Sequence, residues 1–318
     1  MIMNLNVLLN FCMMMGVIMT ISSNNWFSIW MGLELTLMCF IPIMSAKSKL
    51  NSESCIKYFI MQSLSSSIMM MGVIMMSFEM NKYFLLTSIA MKLGVVPFHT
   101  WVLSITEGMK YYSILVFSTV MKLGPMMVMS YLNSNYSTII IMMLILSSIA
   151  GLNQNSMKKV IMYSSLFNMS FMLSCINNCS IWMTYFILYS ASLLMLTLMI
   201  MKMNLNFINQ FIFNNYSNSM KLIMWMIMMS MGGMPPMLSF YGKFMVIKYL
   251  IELNNLIMII FMITGSLIII FFYMRMTFLS MMFFYHMPKW LKMNSMENSF
   301  IIMTTLIMPI TVFNLKSL

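Results

Sequence analysis

Aspartate is absent from this 318-residue sequence, and charge of either sign is scarce: 7% of residues are charged, against roughly 25% in an ordinary soluble domain. With 61% of residues hydrophobic, that scarcity excludes a water-soluble single domain. Histidine occurs twice, and the five cysteines (Cys12, Cys39, Cys55, Cys175, Cys179) show no ligand spacing beyond Cys175 and Cys179, which stand at a span end without a His or further Cys nearby. Neither a metal site nor a disulfide framework is expected. Also missing are a glycine-rich phosphate loop, a dinucleotide fingerprint, a cysteine cluster for iron–sulfur and a pair of buried histidines for haem. The chain is expected to carry no cofactor, which leaves the movement of ions or protons as the chemistry its residues support. Acidic residues are few as well: six Glu face 17 Lys plus Arg, a net charge of +11. Such a surplus marks nucleic-acid binding when it forms a solvated patch. Here several lysines sit inside apolar runs and the rest punctuate short loops, so no nucleic-acid partner is expected. The surplus reads as the positive-inside bias of a membrane protein plus a few buried cations.

What is present is one apolar run after another, and at about 20 residues per crossing the chain holds roughly eleven spans. Runs bounded by Asn, Ser, Lys and Gly clusters place them at 2–21, 26–44, 55–79, 83–103, 111–132, 137–151, 159–175, 181–201, 220–251, 256–285 and 299–313. The fold class is therefore an all-α polytopic membrane protein, embedded among membrane lipids. The first run lacks a basic flank and a small-residue cleavage site, so it reads as a retained span rather than a signal peptide. Methionine, at 53 positions, is a generic apolar filler here. Such an excess follows if AT-rich codons are read as Met, which hints at an organelle-encoded gene.

Lysines orient the bundle. Lys47, Lys49, Lys57, Lys110, Lys158, Lys159, Lys202, Lys221, Lys289 and Lys292 fall on the side of the N-terminus, against Lys82, Lys248 and Lys316 opposite, ten to three. The N-terminus is expected in the cytoplasm-equivalent compartment and the C-terminus across the membrane.

Two spans are interrupted. Residues 93–98 read LGVVPF and residues 231–236 read MGGMPP, which puts Gly94 before Pro97, and Gly232 and Gly233 before Pro235 and Pro236. A broken helix at membrane depth frees backbone groups and is tolerated where it lines a cavity; the plainer alternative at either position is a proline kink. Two breaks, in the fourth and ninth spans, suggest paired five-span repeats.

Several polar side chains lie at depth. Glu34 is ninth in the nineteen-residue run 26–44, where a charge costs on the order of 3 kcal/mol, so it needs a partner or a proton. A protonated Glu34 held by a backbone carbonyl is the alternative. Lys92 sits immediately before the first break, Lys122 mid-run with Ser118 one helical turn before it, and Lys243 seven residues past Pro236. Burial disfavours an ammonium and a nearby carboxylate favours it, so a lysine exposed to both in turn can take up and release a proton. The competing role for each is snorkelling to the interface. Tyr163, Ser164, Ser165 and Asn168 share one span, either as interhelical glue or as groups that order water. His99 follows the first break and could titrate near neutrality, whereas His286, beside Pro288 and Trp290, reads as interfacial.

Taken in order, WMGLELTLMCFIPI around Glu34, MKLGVVPFHTW from Met91, MKLGP from Met121, GLNQNSMKKVIMYSSLFNMSFM from Gly151 and MGGMPPMLSFYGKF from Met231 resemble one family, the antiporter-like membrane subunits of respiratory complex I. The resemblance implies a first inverted repeat over 1–132, a second over 137–285, and a C-terminal helix and tail over 299–318. It further implies a site in the mitochondrial inner membrane, N-terminus in the matrix and C-terminus in the intermembrane space. The partners it implies are other membrane-arm subunits, with NADH, FMN, iron–sulfur clusters and ubiquinone bound by other subunits of the complex. By motif position Glu34 and Lys92 resemble the family's carboxylate–lysine pair, Lys122 its central lysine and Lys243 the lysine beyond the second break. The activity implied is proton translocation from matrix to intermembrane space, driven by quinone reduction elsewhere in the complex. Two positions depart from the pattern. Asn168 stands where relatives often carry His, so a relay there would run through water held by Asn168, Ser164 or Ser165. Leu103 and Ser104 replace a frequent Pro-Glu, leaving Glu107 as the carboxylate near that loop. The same buried residues would also serve a stand-alone cation/proton antiporter, and a non-conducting scaffold subunit would keep its lysines for assembly.

Overall fold

The computed structural model describes residues 2–45, 48–77, 82–132, 136–213 and 218–282. Among these the chain is helical throughout, with a single isolated antiparallel bridge between Ser156 and Phe207. Five helical stretches are long and apolar enough to cross a membrane: Trp26–Met44, Lys49–Met76, Tyr111–Leu132, Cys179–Met203 and Leu256–Phe278. Their outward faces are apolar too, with Ile56, Ile60 and Leu64 exposed on one and Ile260, Leu267 and Phe271 on another. Such faces suit hydrocarbon rather than water. The expected span 299–313 and His286 lie outside the described residues.

The chain divides into two compact units, residues 1–139 and 140 onward. Unit 1 contains α1 (Ile2–Ser22), α2 (Trp26–Met44), α3 (Lys49–Ser77), α4 (Tyr83–Leu93), α5 (Thr100–Thr106), α6 (Tyr111–Ser118) and α7 (Val120–Leu132). α1 and α2 cross at a reciprocal small-residue contact. A Cβ on Gly16 would stand 2.8 Å from Thr36 Cγ2 and 2.9 Å from the Gly32 carbonyl, and one on Gly32 would stand 2.7 Å from Thr20 Cγ2 and 2.9 Å from the Gly16 carbonyl. Close backbone approach through small residues is how helices associate where no water is present to drive them together. Gly32→Leu is expected to force this crossing apart at a cost of roughly 1–3 kcal/mol or more. A lower melting temperature of the detergent-purified protein would show it; an unchanged one would mean that the crossing tolerates bulk.

Unit 2 contains most of α8 (Ser137–Leu152), then α9 (Met157–Ser174), α10 (Cys179–Met203), the single turn α11 (Gln210–Phe213), α12 (Asn218–Gly232), α13 (Leu238–Glu252) and α14 (Leu256–Met282). α9 is buried on every side from Val160 to Leu173, so its polar residues face protein all round. α10 and α13 both pack against it.

The structure corrects several sequence boundaries. Residues 49–54, expected in a loop, already belong to α3: Lys49, Ser52 and Glu53 face outward, while Asn51 and Ser54 are buried on the other side of the helix. The run 83–103 is two helices separated by residues 94–99, and 220–251 is likewise α12 and α13. The run 111–132, expected to be one helix, breaks at Thr119 (φ −113°, ψ −83°). There Ser118 Oγ donates to the Ile114 carbonyl at 2.8 Å and to that of Leu115 at 3.1 Å, while Thr119 Oγ1 donates to Leu115 at 2.7 Å. Hydroxyl bonding back onto the preceding turn bends helices. Ser118 therefore ends α6 rather than preceding Lys122 by one turn of a continuous helix.

Candidate functional site

In unit 1 the break at Gly94 is a left-handed helix cap. Gly94 takes φ +67°, its N–H and that of Val95 bond back onto the last turn of α4, and the chain reverses into α5 across a cis Val96–Pro97 bond. A left-handed cap of this kind favours glycine. It leaves Lys92 at the end of α4 with its side chain 3% exposed, and Nζ stands 3.8 Å from Glu34 Oε1 on α2. That is an ion pair, longer than a charge-assisted hydrogen bond. The same Glu34 oxygen has no hydrogen-bond partner among the described residues. The expected pairing of Glu34 with Lys92 is thus a contact in the fold, joining two residues 58 positions apart in sequence. Gln62 Nε2, on α3, donates to the Lys92 carbonyl at 3.3 Å and holds the end of α4 in place.

Lys122, 3% exposed, follows the Thr119 break, and its N–H bonds to the Thr119 carbonyl at 3.1 Å. Lys92 and Lys122 line one cavity of about 20 Å³, together with Thr36, Tyr58, Gln62 and Phe117. About 10–15 Å³ of such volume holds a water, so the cavity accommodates one or two. His99 sits apart from it, half-buried, with Nδ1 3.3 Å from the Pro97 carbonyl.

Unit 2 repeats the helix break with different consequences. Gly233 takes φ +84°, and the N–H groups of Gly233 and Met234 both bond back to the Met229 carbonyl. Lys243, on α13, donates from Nζ to the Gly232 carbonyl at 2.6 Å, and the ammonium lies 5.7 Å from the centre of the Phe167 ring and 6.0 Å from that of Phe171. Carbonyls at a helix C-terminus carry partial negative charge, and aromatic faces attract cations, so both stabilise this buried ammonium. Ser239 Oγ donates to the Ser230 carbonyl and ties the start of α13 to the end of α12. Asn168 Nδ2 donates to the Ser164 carbonyl at 2.8 Å, and Tyr185 on α10 donates its hydroxyl to Asn168 Oδ1 at 2.6 Å. Ser164 and Ser165 donate to the carbonyls of Ile161 and Met162, each at 2.8 Å. Tyr163 lies on the same helix and is 8% exposed. The structure thus brings Asn168 to Tyr185 and Lys243 to Gly232.

The family model described as "NADH:quinone oxidoreductase/Mrp antiporter, TM" matches residues 23–83 and 77–269, which include Glu34, Lys92, Lys122 and Lys243. The chain belongs to that family. NADH:quinone oxidoreductase/Mrp antiporter proteins similar to it include "NADH-ubiquinone oxidoreductase chain 2" of Anopheles gambiae, 33% identical over 299 residues that cover 89% of this chain and 88% of the mosquito protein. The protein of the same name from Aedes aegypti is 35% identical over 301 residues, with the same coverage. A chain of respiratory complex I from Thermus thermophilus shares the fold, with a TM-score of 0.81 over 98% of this chain and 78% of its own length at 14% identity.

For this antiporter-family chain, sequence reasoning missed Tyr58, Gln62, Thr119 and Tyr185. Tyr58 and Gln62 carried a usable signal, two polar side chains one turn apart in an otherwise apolar stretch. Thr119 carried the Ser-Thr pair beside it. Tyr185 carried none, since a tyrosine in a span is as often interfacial as buried.

Proposed function

We propose that the chain is a proton-translocating core membrane subunit of mitochondrial NADH:ubiquinone oxidoreductase, acting in the inner membrane beside other membrane-arm subunits. NADH, FMN, the iron–sulfur clusters and ubiquinone are bound by other subunits of the complex, so this chain takes part in the enzyme without a redox centre. The observation that carries the reading is that Lys92, Lys122 and Lys243 are all buried and each stands at a helix interruption, two of them on one cavity. Freed carbonyls, a carboxylate and room for water are what a buried ammonium needs in order to gain and lose its proton. Relatives named as chain 2 of this oxidoreductase, with 88% of their length matched, support the assignment to the complex rather than to a stand-alone antiporter.

In this reading residues 1–132 and 137–285 are the two inverted repeats, each with one helix broken at glycine and proline, and a C-terminal helix over 299–318 completes eleven spans. Ten of the thirteen lysines counted in loops and span ends fall on the N-terminal side, which supports an N-terminus in the matrix and a C-terminus in the intermembrane space. Proton exchange passes between Glu34 and Lys92 and through cavity water to Lys122, and Lys243 is the exchanging group of the second unit. Lys122→Met tests it, because Met keeps the length of the side chain and removes the titrating group. The complex should assemble, and NADH-driven proton pumping per assembled complex should fall, because a proton-transfer group has been removed. Assembly with unchanged proton-to-electron stoichiometry would support the scaffold role.

A further inference from the structure

Resting on the proton-translocating reading above, we infer that Tyr58 is a positioning residue whose hydroxyl holds the water joining the Glu34/Lys92 pair to Lys122. Tyr58 is on α3 and fully buried, at 0% exposure. Its ring is clamped from three helices: Phe40 of α2 meets it edge-on at 5.2 Å, Phe117 of α6 edge-on at 6.3 Å, and Trp101 of α5 is tilted against it at 6.4 Å. A ring held on several sides has one place for its hydroxyl. That hydroxyl has no hydrogen-bond partner among the described residues. A buried tyrosine O–H without a protein acceptor is destabilising unless water satisfies it, and Tyr58 lines the cavity it shares with Lys92 and Lys122.

Two further observations converge on this position. Glu34 Oε1, 3.8 Å from Lys92 Nζ, is a second buried oxygen without a hydrogen-bond partner among the described residues. Gln62, one turn along α3 from Tyr58, spends its amide N–H on the Lys92 carbonyl and so fixes the cavity wall that carries the lysine. A water in a space of about 20 Å³ needs two to four polar partners. Tyr58 Oη can donate to it or accept from it, which neither ammonium can do, since an ammonium only donates. The hydroxyl therefore lets the bridging water turn between the two lysines, passing a proton from one side and taking up the next from the other. No proton leaves Tyr58 itself.

Tyr58→Phe removes one oxygen and leaves the aromatic clamp intact. In the purified complex reconstituted into liposomes, NADH-driven quinone reduction per assembled complex should fall roughly two- to tenfold, the range expected for one hydrogen bond. The solvent isotope effect in D2O should rise above that of the unsubstituted complex, because a proton step becomes limiting; a purely structural role would leave it unchanged. Lys122→Met is measured alongside. A normal rate and isotope effect for Tyr58→Phe with a slow Lys122→Met would overturn the role of Tyr58 alone, and normal values for both would overturn the relay as well. Should Tyr58→Phe fail to assemble, a hydrated high-resolution map of the unsubstituted complex decides: a water within hydrogen-bond distance of Tyr58 Oη supports the inference, and an empty Oη environment overturns it.

Discussion

Glu34→Gln is expected to depress coupled NADH oxidation more than any other single change at the unit 1 site, by roughly 3–5 kcal/mol of lost stabilisation, because it strands a buried ammonium. The asymmetry follows from burial: the Lys92 side chain is 3% exposed and that of Glu34 21%. Across 3.8 Å the attraction between the two charges is about 4 kcal/mol at an effective dielectric constant near 20. Removing either partner forfeits that return while the survivor keeps its desolvation cost. Lys92→Met should be the milder variant, since its stranded carboxylate still reaches the edge of the protein or takes up a proton. The double substitution removes both buried charges and should cost clearly less than the sum. Assembled complex and proton-coupled NADH oxidation, measured for the four members of the cycle, test this directly. Strictly additive losses would show that the two residues act independently.

Gly233→Ala should reproduce the loss caused by Lys243→Met. An L-residue held at φ +84° is strained by roughly 1–2 kcal/mol, and the new Cβ would stand 2.8 Å from Lys243 Nζ and 3.0 Å from its Cδ and Cε. The far end of a lysine is flexible, so it yields, and in yielding it gives up the Gly232 carbonyl. Gly232→Ala is the control. That residue ends α12 and keeps its carbonyl; its Cβ would meet Ile270 Cγ1 at 3.3 Å, a tight contact that a side chain relieves by a small shift, with Ile270 Cα at 3.6 Å and Tyr273 Cδ2 at 3.7 Å. Pumping per assembled complex should therefore fall severalfold in Gly233→Ala and stay near normal in Gly232→Ala. Adding Lys243→Met to Gly233→Ala should bring only the backbone strain on top. Equal behaviour of the two glycine variants would show that the break does not hold the lysine.

The breaks at Gly94 and Gly233 were legible because glycine and proline advertise themselves: one permits a left-handed turn and the other removes a donor, whatever surrounds them. The break at Thr119 was not. Its cause is hydroxyl bonding from Ser118 and Thr119 to carbonyls one turn back, an option that serine and threonine exercise in some helices and decline in others. Buried lysines were legible for a similar reason, since a charge in the middle of an apolar run is costly wherever it points. That Glu34 meets Lys92 could not be read from spacing, as it depends on how α2 and α4 pack. Asn168 shows the limit most plainly. The sequence left it as interhelical glue or as a group that orders water; in the fold Asn168 bonds the Ser164 backbone and receives the Tyr185 hydroxyl from another helix, a partner no spacing could name.

The Lys243–Gly232 contact also has a genetic consequence. In unit 1 the ammonium leans on a side chain, so a single missense change at codon 34 deletes its partner. In unit 2 the partner is a peptide carbonyl, which every codon at position 232 supplies. That half of the molecule is buffered against mutation at the partner position, and its vulnerability moves to codon 233, where only glycine keeps the chain in the conformation that presents the oxygen. Variation accumulating in this gene should therefore spare 34 for its charge and 233 for its lack of a side chain, two different selective pressures guarding the same kind of ion.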